Sequence, residues 1–161
     1  MPDNRINLSI IERSFDDLTP RQVHSLLKLR QQIFIIEQEC IFAEIDGLDP
    51  VCKHILAVDG DEVLAAVRIV APGIDPDHLE QGDRPAIGRV VTSEVLRGQG
   101  IGRKLMLRAI ESCAQEFDGK PIYLNAQLYL RDFYQSLGFV QVGDEYMEDG
   151  IEHIAMEGPA K

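Results

Sequence analysis

Three glycines and three basic residues lie together near the middle of the chain, where a turn leads into a helix. The turn is Arg97-Gly98-Gln99-Gly100-Ile101-Gly102, and Arg103 and Lys104 follow it. Glycine loses more backbone freedom on folding than any other residue, so glycines at this density indicate a backbone that must bend or be approached closely. Successive N–H groups at the start of a helix bind anions, helped by the positive end of the helix dipole. The pattern therefore predicts a diphosphate site.

Two common phosphate-binding motifs do not fit this turn. A P-loop has Ser or Thr after its lysine to bind magnesium, whereas Leu105 follows Lys104. The dinucleotide motif GxGxxG would need a third glycine where the chain has Arg103. What remains is Arg-x-x-Gly-x-Gly between a predicted strand and a predicted helix.

Hydrophobic periodicity predicts the elements that position this turn. A strand begins at Ile87 and precedes the turn, and a helix with an apolar stripe follows it to about Phe117. Thr19, Pro20 and Gln22 form a helix-start pattern, which predicts a long helix to about Glu37. Residues 38–49 are read as a loop or a short second helix, and residues 143–150 as an acidic turn. The other predicted elements are strands near 6–10, 54–58, 63–70, 122–126, 139–142 and 151–156, and a short helix over 128–137.

The composition indicates one globular domain spanning residues 1–161. The chain is 45% hydrophobic, which suits a real core. No apolar run approaches the roughly 20 residues of a membrane span, and the polar stretch MPDNRINLSI is not expected to act as a secretory signal. Three cysteines without CxxC spacing argue against a disulfide framework, and no metal-ligand spacing is present, so we expect no metal. A cytoplasmic, thiol-reduced protein is the expectation.

The net charge of −11 disfavours nucleic-acid binding across the whole surface. The charge is uneven, because residues 31–52 contain no Lys or Arg but several carboxylates, including Glu44, Asp46 and Asp49. A second acidic run covers residues 144–152. Two interpretations are open: solvated loops that aid solubility, or an acidic rim that attracts a cationic substrate.

A second motif lies downstream, in Leu130-Arg131-Asp132-Phe133-Tyr134-Gln135-Ser136-Leu137-Gly138-Phe139. Together with the glycine turn, this helix with a tyrosine and a closing Gly-Phe resembles the two signatures of the GNAT acetyltransferase superfamily. The stretches Glu37-Gln38, Asp46-Gly47 and His54-Ile55-Leu56 resemble its ElaA-like branch. The resemblance implies an α+β fold, with a central mixed, mostly antiparallel sheet of six to seven strands and helices on both faces.

The resemblance also implies a site for acetyl-CoA. Val91 and Thr92 would offer main-chain groups to the pantetheine arm, and the pyrophosphate would lie on the turn. Many relatives have an Asn seven residues before the tyrosine, where this chain has Gln127, and Asn125 is a neighbour that could share its task. The implied turn residues are Arg97, Gly98, Gln99, Gly100, Ile101, Gly102 and Arg103.

Tyr134 matches the tyrosine that gives a proton to the departing CoA thiolate in the superfamily. The alternative role for Tyr134 is that of a core aromatic, since Leu130 and Leu137 share its helical face. The general base is left open. Glu94 and His54 are candidates for the base. Glu37, Asp46 and His153 are candidates for substrate binding, and Glu37 and His153 are further candidates for the base. Each of these has an ordinary structural alternative.

The function implied is an N-acetyltransferase that moves the acetyl group of acetyl-CoA directly to a primary amine of a small molecule or protein. One alternative is a CoA-binding or regulatory module that has lost catalysis. Another is a structural protein whose glycine turn is only a tight junction. No nucleic-acid or membrane partner is expected, and a homodimer is an alternative to a monomer.

Overall fold

The described residues of the computed structural model, 5–75 and 79–159, place all their strands in one mixed sheet. Three α-helices accompany eight strands in these ranges. No helix among them is long and apolar enough to cross a membrane. The helices are α1 (Pro20–Arg30), α2 (Ile101–Glu116) and α3 (Arg131–Gln135). The strands are β1 (Ser9–Ser14), β2 (Lys53–Asp59), β3 (Glu62–Val70), β4 (Ala86–Thr92), β5 (Ile122–Gln127), β6 (Val140–Gln141), β7 (Tyr146–Glu148) and β8 (Ile151–Gly158).

The strand order is β1-β2-β3-β4-β5-β8-β6, and β7 pairs with β8. β4 and β5 are parallel, while the other neighbours are antiparallel. The predicted mixed, mostly antiparallel sheet is confirmed. Its additional strand is β7, which lies in the stretch predicted to be an acidic turn.

Helices cover both faces of the sheet, as predicted. β2 shows the reason, because its side chains alternate between the two faces. Leu56 and Val58 join the cluster under α1, whereas Ile55 and Ala57 join the cluster that contains residues of α2 and α3. A strand buried on both faces reads as a continuous apolar run, and β2 is buried from His54 to Val58.

The first helix begins as predicted but ends differently. Thr19 and Gln22 exchange the two hydrogen bonds of a capping box. Beyond α1 the coil widens into a π-helical segment, Gln31–Glu37, where an α-helix was predicted. The bond from Gln38 N to Ile33 O, 3.2 Å long, spans five residues and shows the wider coil. π-helical turns are rare and often occur at functional sites.

Candidate active site

β4 and β5 separate soon after they begin, and a cleft opens between them. Their one aligned pair among the described residues is Ala86 with Tyr123, and Tyr123 N donates to Pro85 O at 2.9 Å. Beyond this point β4 and β5 are not paired with each other, up to their ends at Thr92 and Gln127. The gap forms part of a cleft of about 1120 Å³, called the central cleft below. Sites for small molecules and cofactors commonly measure roughly 300–1,000 Å³, so the cleft has room for a sizeable ligand.

A bulge in β4 decides which main-chain groups face the gap. Alternate residues of a strand direct their N–H and C=O groups to opposite neighbours. Pro85 faces β5, because its carbonyl accepts from Tyr123, whereas Ser93 faces β3, because its N–H donates to Leu64 O at 2.7 Å. In a regular strand, residues an even number of positions apart face the same neighbour. Pro85 and Ser93 are both odd-numbered yet face opposite neighbours, so the alternation reverses between them. The N–H groups of Val90 and Thr92 are thereby directed toward the gap.

The two main-chain candidates implied by the resemblance, Val91 and Thr92, differ in the direction of their N–H groups. Val91 and Thr92 both line the central cleft, but Val91 packs its side chain under α1 and directs its N–H toward β3. Val90 takes its place on the gap side and also lines the cleft. The register of β3 with β4 shifts between Ala66 and Arg68, which marks the bulge. A bulge of this kind leaves no sign in the sequence.

The glycine turn forms an uncapped helix start on the β4 side of the cleft. Gly98 and Gly100 have φ values of +78° and +75°, in the region that favours glycine. Gly100 is the N-cap of α2 and no side chain caps this helix. The N–H groups of residues 101–103 thus have no side-chain partner and can bind an anion. Gly102 lies against Thr92, and a Cβ on it would be an ordinary 3.5 Å from the threonine hydroxyl oxygen.

Side chains of the turn are engaged by other groups of the protein. The guanidinium of Arg97 binds both carboxylate oxygens of Glu37, at 2.6 and 2.5 Å. Arg103 Nη1 donates to Ser136 Oγ at 2.9 Å. Gln99 donates to a carbonyl of the preceding turn and does not line the cleft. The predicted turn residues that do line it are Arg97, Gly98, Gly100, Ile101, Gly102 and Arg103.

Tyr134 is a core aromatic that also lines the cleft. It is 5% exposed, and its ring packs edge-on against Phe133 and Phe139, with centroids 5.1 and 6.1 Å away. Burial raises the pKa of the phenol above its ordinary value. Its hydroxyl makes no hydrogen bond to any described residue, yet it is not among the fully buried polar atoms that lack a partner. The hydroxyl is therefore open to the cleft.

Two amides line the cleft along β5. Asn125 Oδ1 accepts a hydrogen bond from the Tyr123 hydroxyl at 3.0 Å. Gln127 and Gln38 exchange two side-chain hydrogen bonds of 3.2 and 3.4 Å. Gln38 directly follows Glu37, so neighbouring residues at the end of the π-helical segment contact both sides of the cleft. We call Glu37 and Gln38 the strap. No motif in the sequence marks the contact of Gln38 with Gln127.

His153 lines the cleft from β8, opposite Gln127 in the sheet register. Its Nδ1 lies 2.7 Å from the carbonyl oxygen of Ile151. A carbonyl can only accept, so Nδ1 carries the hydrogen and Nε2 has the free lone pair when the ring is neutral. Nε2 is 3.8 Å from Glu148 Oε2, and Tyr146 stacks on the ring at 5.8 Å. The ring is held in one tautomer and orientation.

The two named base candidates lie outside the cleft lining. His54 is 1% exposed on β2, and its Nε2 contacts Asp49 O at 3.0 Å. Burial lowers its pKa, so the ring is kept neutral. Glu94 is exposed in a short turn after β4 and does not line the cleft. The structure thus places both side chains apart from the residues that line the cleft.

The first acidic run contains buried carboxylates as well as exposed ones. Glu44 and Asp49 are buried, at 6% and 4% exposure, and are paired with arginines. Asp46 lines the cleft, but Arg68 binds both its oxygens at 2.9 and 2.8 Å. Burial opposes ionisation of Asp46, yet the hydrogen bonds and charge of Arg68 prevail and lower its pKa to about 2. Glu44, Asp46 and Asp49 are therefore engaged by arginines and fit neither open interpretation, whereas Glu37 and Glu39 of the same run are exposed.

The second acidic run does supply charge to the cleft. Glu148 and Asp149 line it, and no described Lys or Arg pairs with either carboxylate. Across residues 5–75 and 79–159, no three His, Cys, Asp or Glu side chains form a group that could hold a metal ion.

The chain is similar in sequence to a known protein family. Residues 30–158 match the acetyltransferase (GNAT) domain family. Protein ElaA of Escherichia coli is 42% identical over 142 residues, which cover 87% of this chain and 89% of ElaA. A UPF0039 protein of Schizosaccharomyces pombe is 36% identical over 151 residues, covering 93% of this chain and 96% of its own.

Solved structures agree. An acyl-CoA N-acyltransferase from Pseudomonas aeruginosa superposes with a TM-score of 0.82 at 39% identity, covering 93% of this chain and 98% of that one. The crystal structure of Escherichia coli ElaA gives a TM-score of 0.82 at 38% identity, with the same coverage of 93% and 98%. The chain therefore belongs to the GNAT acetyltransferase family, in the branch that contains ElaA, and is an acyltransferase that uses a CoA-linked acyl donor.

Proposed function

We propose that the enzyme transfers the acetyl group of acetyl-CoA directly to a primary amine while both substrates occupy the central cleft. The observation that carries the proposal is the joint placement of an uncapped helix start and the open Tyr134 hydroxyl in one cleft. The helix start suits a diphosphate. The hydroxyl suits protonation of a thiolate that leaves in the same space.

Direct transfer follows a simple sequence of bond changes. The amine nitrogen attacks the thioester carbonyl carbon, and charge develops on the carbonyl oxygen, which the Val90 N–H can stabilise. The C–S bond then breaks and the sulfur takes the Tyr134 proton. The nitrogen, which keeps the acetyl group as an amide, releases its surplus proton to solvent, and a proton from solvent restores the Tyr134 phenol. Burial keeps the phenol protonated at neutral pH, and the same burial raises the proton affinity of a thiolate formed beside it. The products are an N-acetyl amine and CoA.

The amine must lose a proton before or during attack. A lysine-like amine with a pKa of about 10.4 costs about 4.6 kcal/mol to deprotonate at pH 7. His153 supports this step better than Glu94 or His54, because it lines the cleft and its fixed tautomer leaves Nε2 able to accept a proton. Glu148, 3.8 Å from Nε2, would stabilise the imidazolium that forms.

A cationic acceptor is the class that the cleft charges favour. Glu148 at the end of β7 and Asp149 in the turn that follows it carry carboxylates that no described Lys or Arg neutralises. The anion-binding turn lies on the β4 side. The two sides of the gap thus favour substrates of opposite charge, a diphosphate on one and an ammonium on the other.

The experiment is a steady-state assay with acetyl-CoA and a panel of primary amines, followed by release of free thiol. Direct transfer predicts initial-rate lines that intersect when both substrates are varied, whereas a covalent acetyl-enzyme predicts parallel lines. Binding of acetyl-CoA by calorimetry without turnover of any amine would support the CoA-binding module instead. Absence of both binding and turnover would overturn the proposal.

The acceptor class has its own test. Replacing Glu148 and Asp149 by Gln and Asn should raise KM for cationic amines and reduce its salt dependence, with no change for amines that carry a neighbouring negative charge. The matched control removes two carboxylates outside the cleft, Glu111 and Asp118, which are both exposed. Equal effects of the two double variants would show that only net charge matters.

A further inference from the structure

The bulge in β4 contains a strained residue. Arg89 has a φ of +50°, a conformation that a residue with a Cβ rarely adopts. It lies where the register of β4 with β3 shifts, directly before Val90. Strained residues persist only when their surroundings hold them, and they concentrate at functional sites. The question is therefore what holds Arg89.

The side chain of Arg89 is bound by the loop that follows the π-helical segment. Its Nε donates to Glu44 Oε1 at 3.0 Å and its Nη2 to Glu44 O at 3.0 Å. A longer contact of 3.4 Å joins Nη2 to Asp46 Oδ2, and the guanidinium lies 5.5 Å from the centre of the Phe42 ring. Glu44 thus supplies the two shortest contacts, one from its side chain and one from its main chain.

Glu44 is itself held by the buried side chain of Arg30. The same oxygen, Oε1, accepts from Arg30 Nε at 2.6 Å. Arg30 is 1% exposed and binds both oxygens of Asp49, which in turn accepts from Arg68 at 3.1 Å. Three arginines and three carboxylates therefore form a charge-balanced group that joins α1, β3 and β4 to the loop. Paired buried charges hold their geometry, because loss of one partner leaves the other uncompensated.

We propose that Glu44 is a positioning residue for acyl transfer: through Arg89 it holds the β4 bulge in the form that directs the Val90 N–H into the cleft. The inference rests on the role of Val90 given under the proposed function. Among the described residues, the hydrogen bonds that join Glu44 to β4 all come from the Arg89 side chain, so we expect its effect on transfer to pass through that side chain.

A glycine at position 89 tells apart two roles of the Arg89 side chain: holding the bulge, or acting on a substrate. Arg89→Ala removes the side-chain anchor and keeps the strain, whereas Arg89→Gly removes both, since glycine adopts a φ of +50° readily. If the anchor serves to hold the bulge, Arg89→Gly should retain roughly ten-fold more kcat than Arg89→Ala, given a strain of this kind. If the Arg89 side chain acts on a substrate, the two variants should be equally impaired, which would overturn the proposal.

Glu44→Gln tests the coupling. It keeps the size of the side chain and leaves Arg30 paired with Asp49. The substitution should lower kcat several-fold in the wild-type background, with little change in the Kd for acetyl-CoA, and should have almost no effect on kcat in the Arg89→Gly background. An equal loss in both backgrounds would contradict action through Arg89. Asp118→Gly is the control, because Asp118 also has a positive φ, +55°, but lies in the exposed turn after α2.

A readout without turnover keeps this test separate from that of the proposed function. The amide resonance of Val90 in NMR spectra should move in Arg89→Ala and Glu44→Gln and stay near its wild-type position in Arg89→Gly. An unmoved resonance in Arg89→Ala and Glu44→Gln would overturn the inference even if transfer occurs. Wild-type protein that transfers no acetyl group while the resonances behave as expected would instead refute the proposed role of the bulge in catalysis.

Discussion

Arg97 of the glycine turn and Glu37 of the strap form a two-point ion pair across the mouth of the anion site, with N–O distances of 2.6 and 2.5 Å. Both side chains are 42% exposed, so the pair is open to solvent. Hydrogen bonds and charge from Arg97 lower the pKa of Glu37, which stays ionised at neutral pH. A carboxylate is thus held beside the place proposed for a diphosphate.

Glu37→Gln should therefore tighten binding of CoA by a few fold, because it removes a negative charge and frees Arg97. Arg97→Gln should weaken binding by roughly ten-fold, as expected for loss of one charged phosphate contact. Calorimetric titration at low and high salt measures both effects. Glu39→Gln is the control, since Glu39 is exposed nearby and does not line the cleft. Weaker binding by Glu37→Gln would show that the pair instead supports the turn.

Gly100→Ala should weaken CoA binding by roughly ten-fold, because alanine opposes the positive φ that starts α2. Gly73 provides a matched control: its φ of +77° is close to the +75° of Gly100, and neither glycine has an atom within 4 Å of an added Cβ. Both substitutions should lower the melting temperature to a similar extent. CoA affinity should change only with Gly100→Ala, and equal affinities in the two variants would argue against the turn as the diphosphate site.

Tyr134→Phe should lower kcat on the order of a hundred-fold, as loss of a general acid does. The Kd for acetyl-CoA should stay near its wild-type value, because the ring and its contacts with Phe133 and Phe139 remain. Single-turnover thiol release measures the chemical step directly. An unchanged rate would assign Tyr134 to the core alone.

His54 makes stability depend on pH. Its folded pKa is lowered by burial, so the unfolded chain binds a proton more readily than the folded protein. The stabilisation is complete above the unfolded pKa of about 6.5 and is lost as the pH falls below it, with a slope of at most about 1.4 kcal/mol per pH unit. Urea unfolding between pH 5 and 7.5 checks this slope. In His54→Asn the slope over this window should be smaller, and an unchanged slope would assign it to other groups.

The local parts of the fold were predictable because they depend on neighbouring residues. The capping box of Thr19 and Gln22, the helix after the glycine turn and the strands of the sheet all follow from short-range patterns. Some strand boundaries differ from the prediction because pairing sets them. β1 lies at Ser9–Ser14, where it pairs with β2, and not over residues 6–10. β7 was missed because three residues give too short an alternation to recognise.

The candidate site was predictable only where a motif marks it. The glycine turn and Tyr134 line the cleft as the resemblance implied. Charge pattern alone misled for Glu44 and Asp49, because their partners, Arg30 and Arg68, lie outside the acidic stretch and are brought to it by the fold. Long-range ion pairs and the β4 bulge depend on tertiary packing, which local sequence does not encode.

The separation of β4 from β5 leaves two strand edges inside the molecule. Open edges of this kind present unpaired N–H and C=O groups that readily add a foreign strand and promote association. Here the edges face each other, and the strap joins the end of one to the turn after the other, through Gln38 with Gln127 and Glu37 with Arg97. The strap thus spans the two edges at their far ends, and the unpaired groups between them face the central cleft.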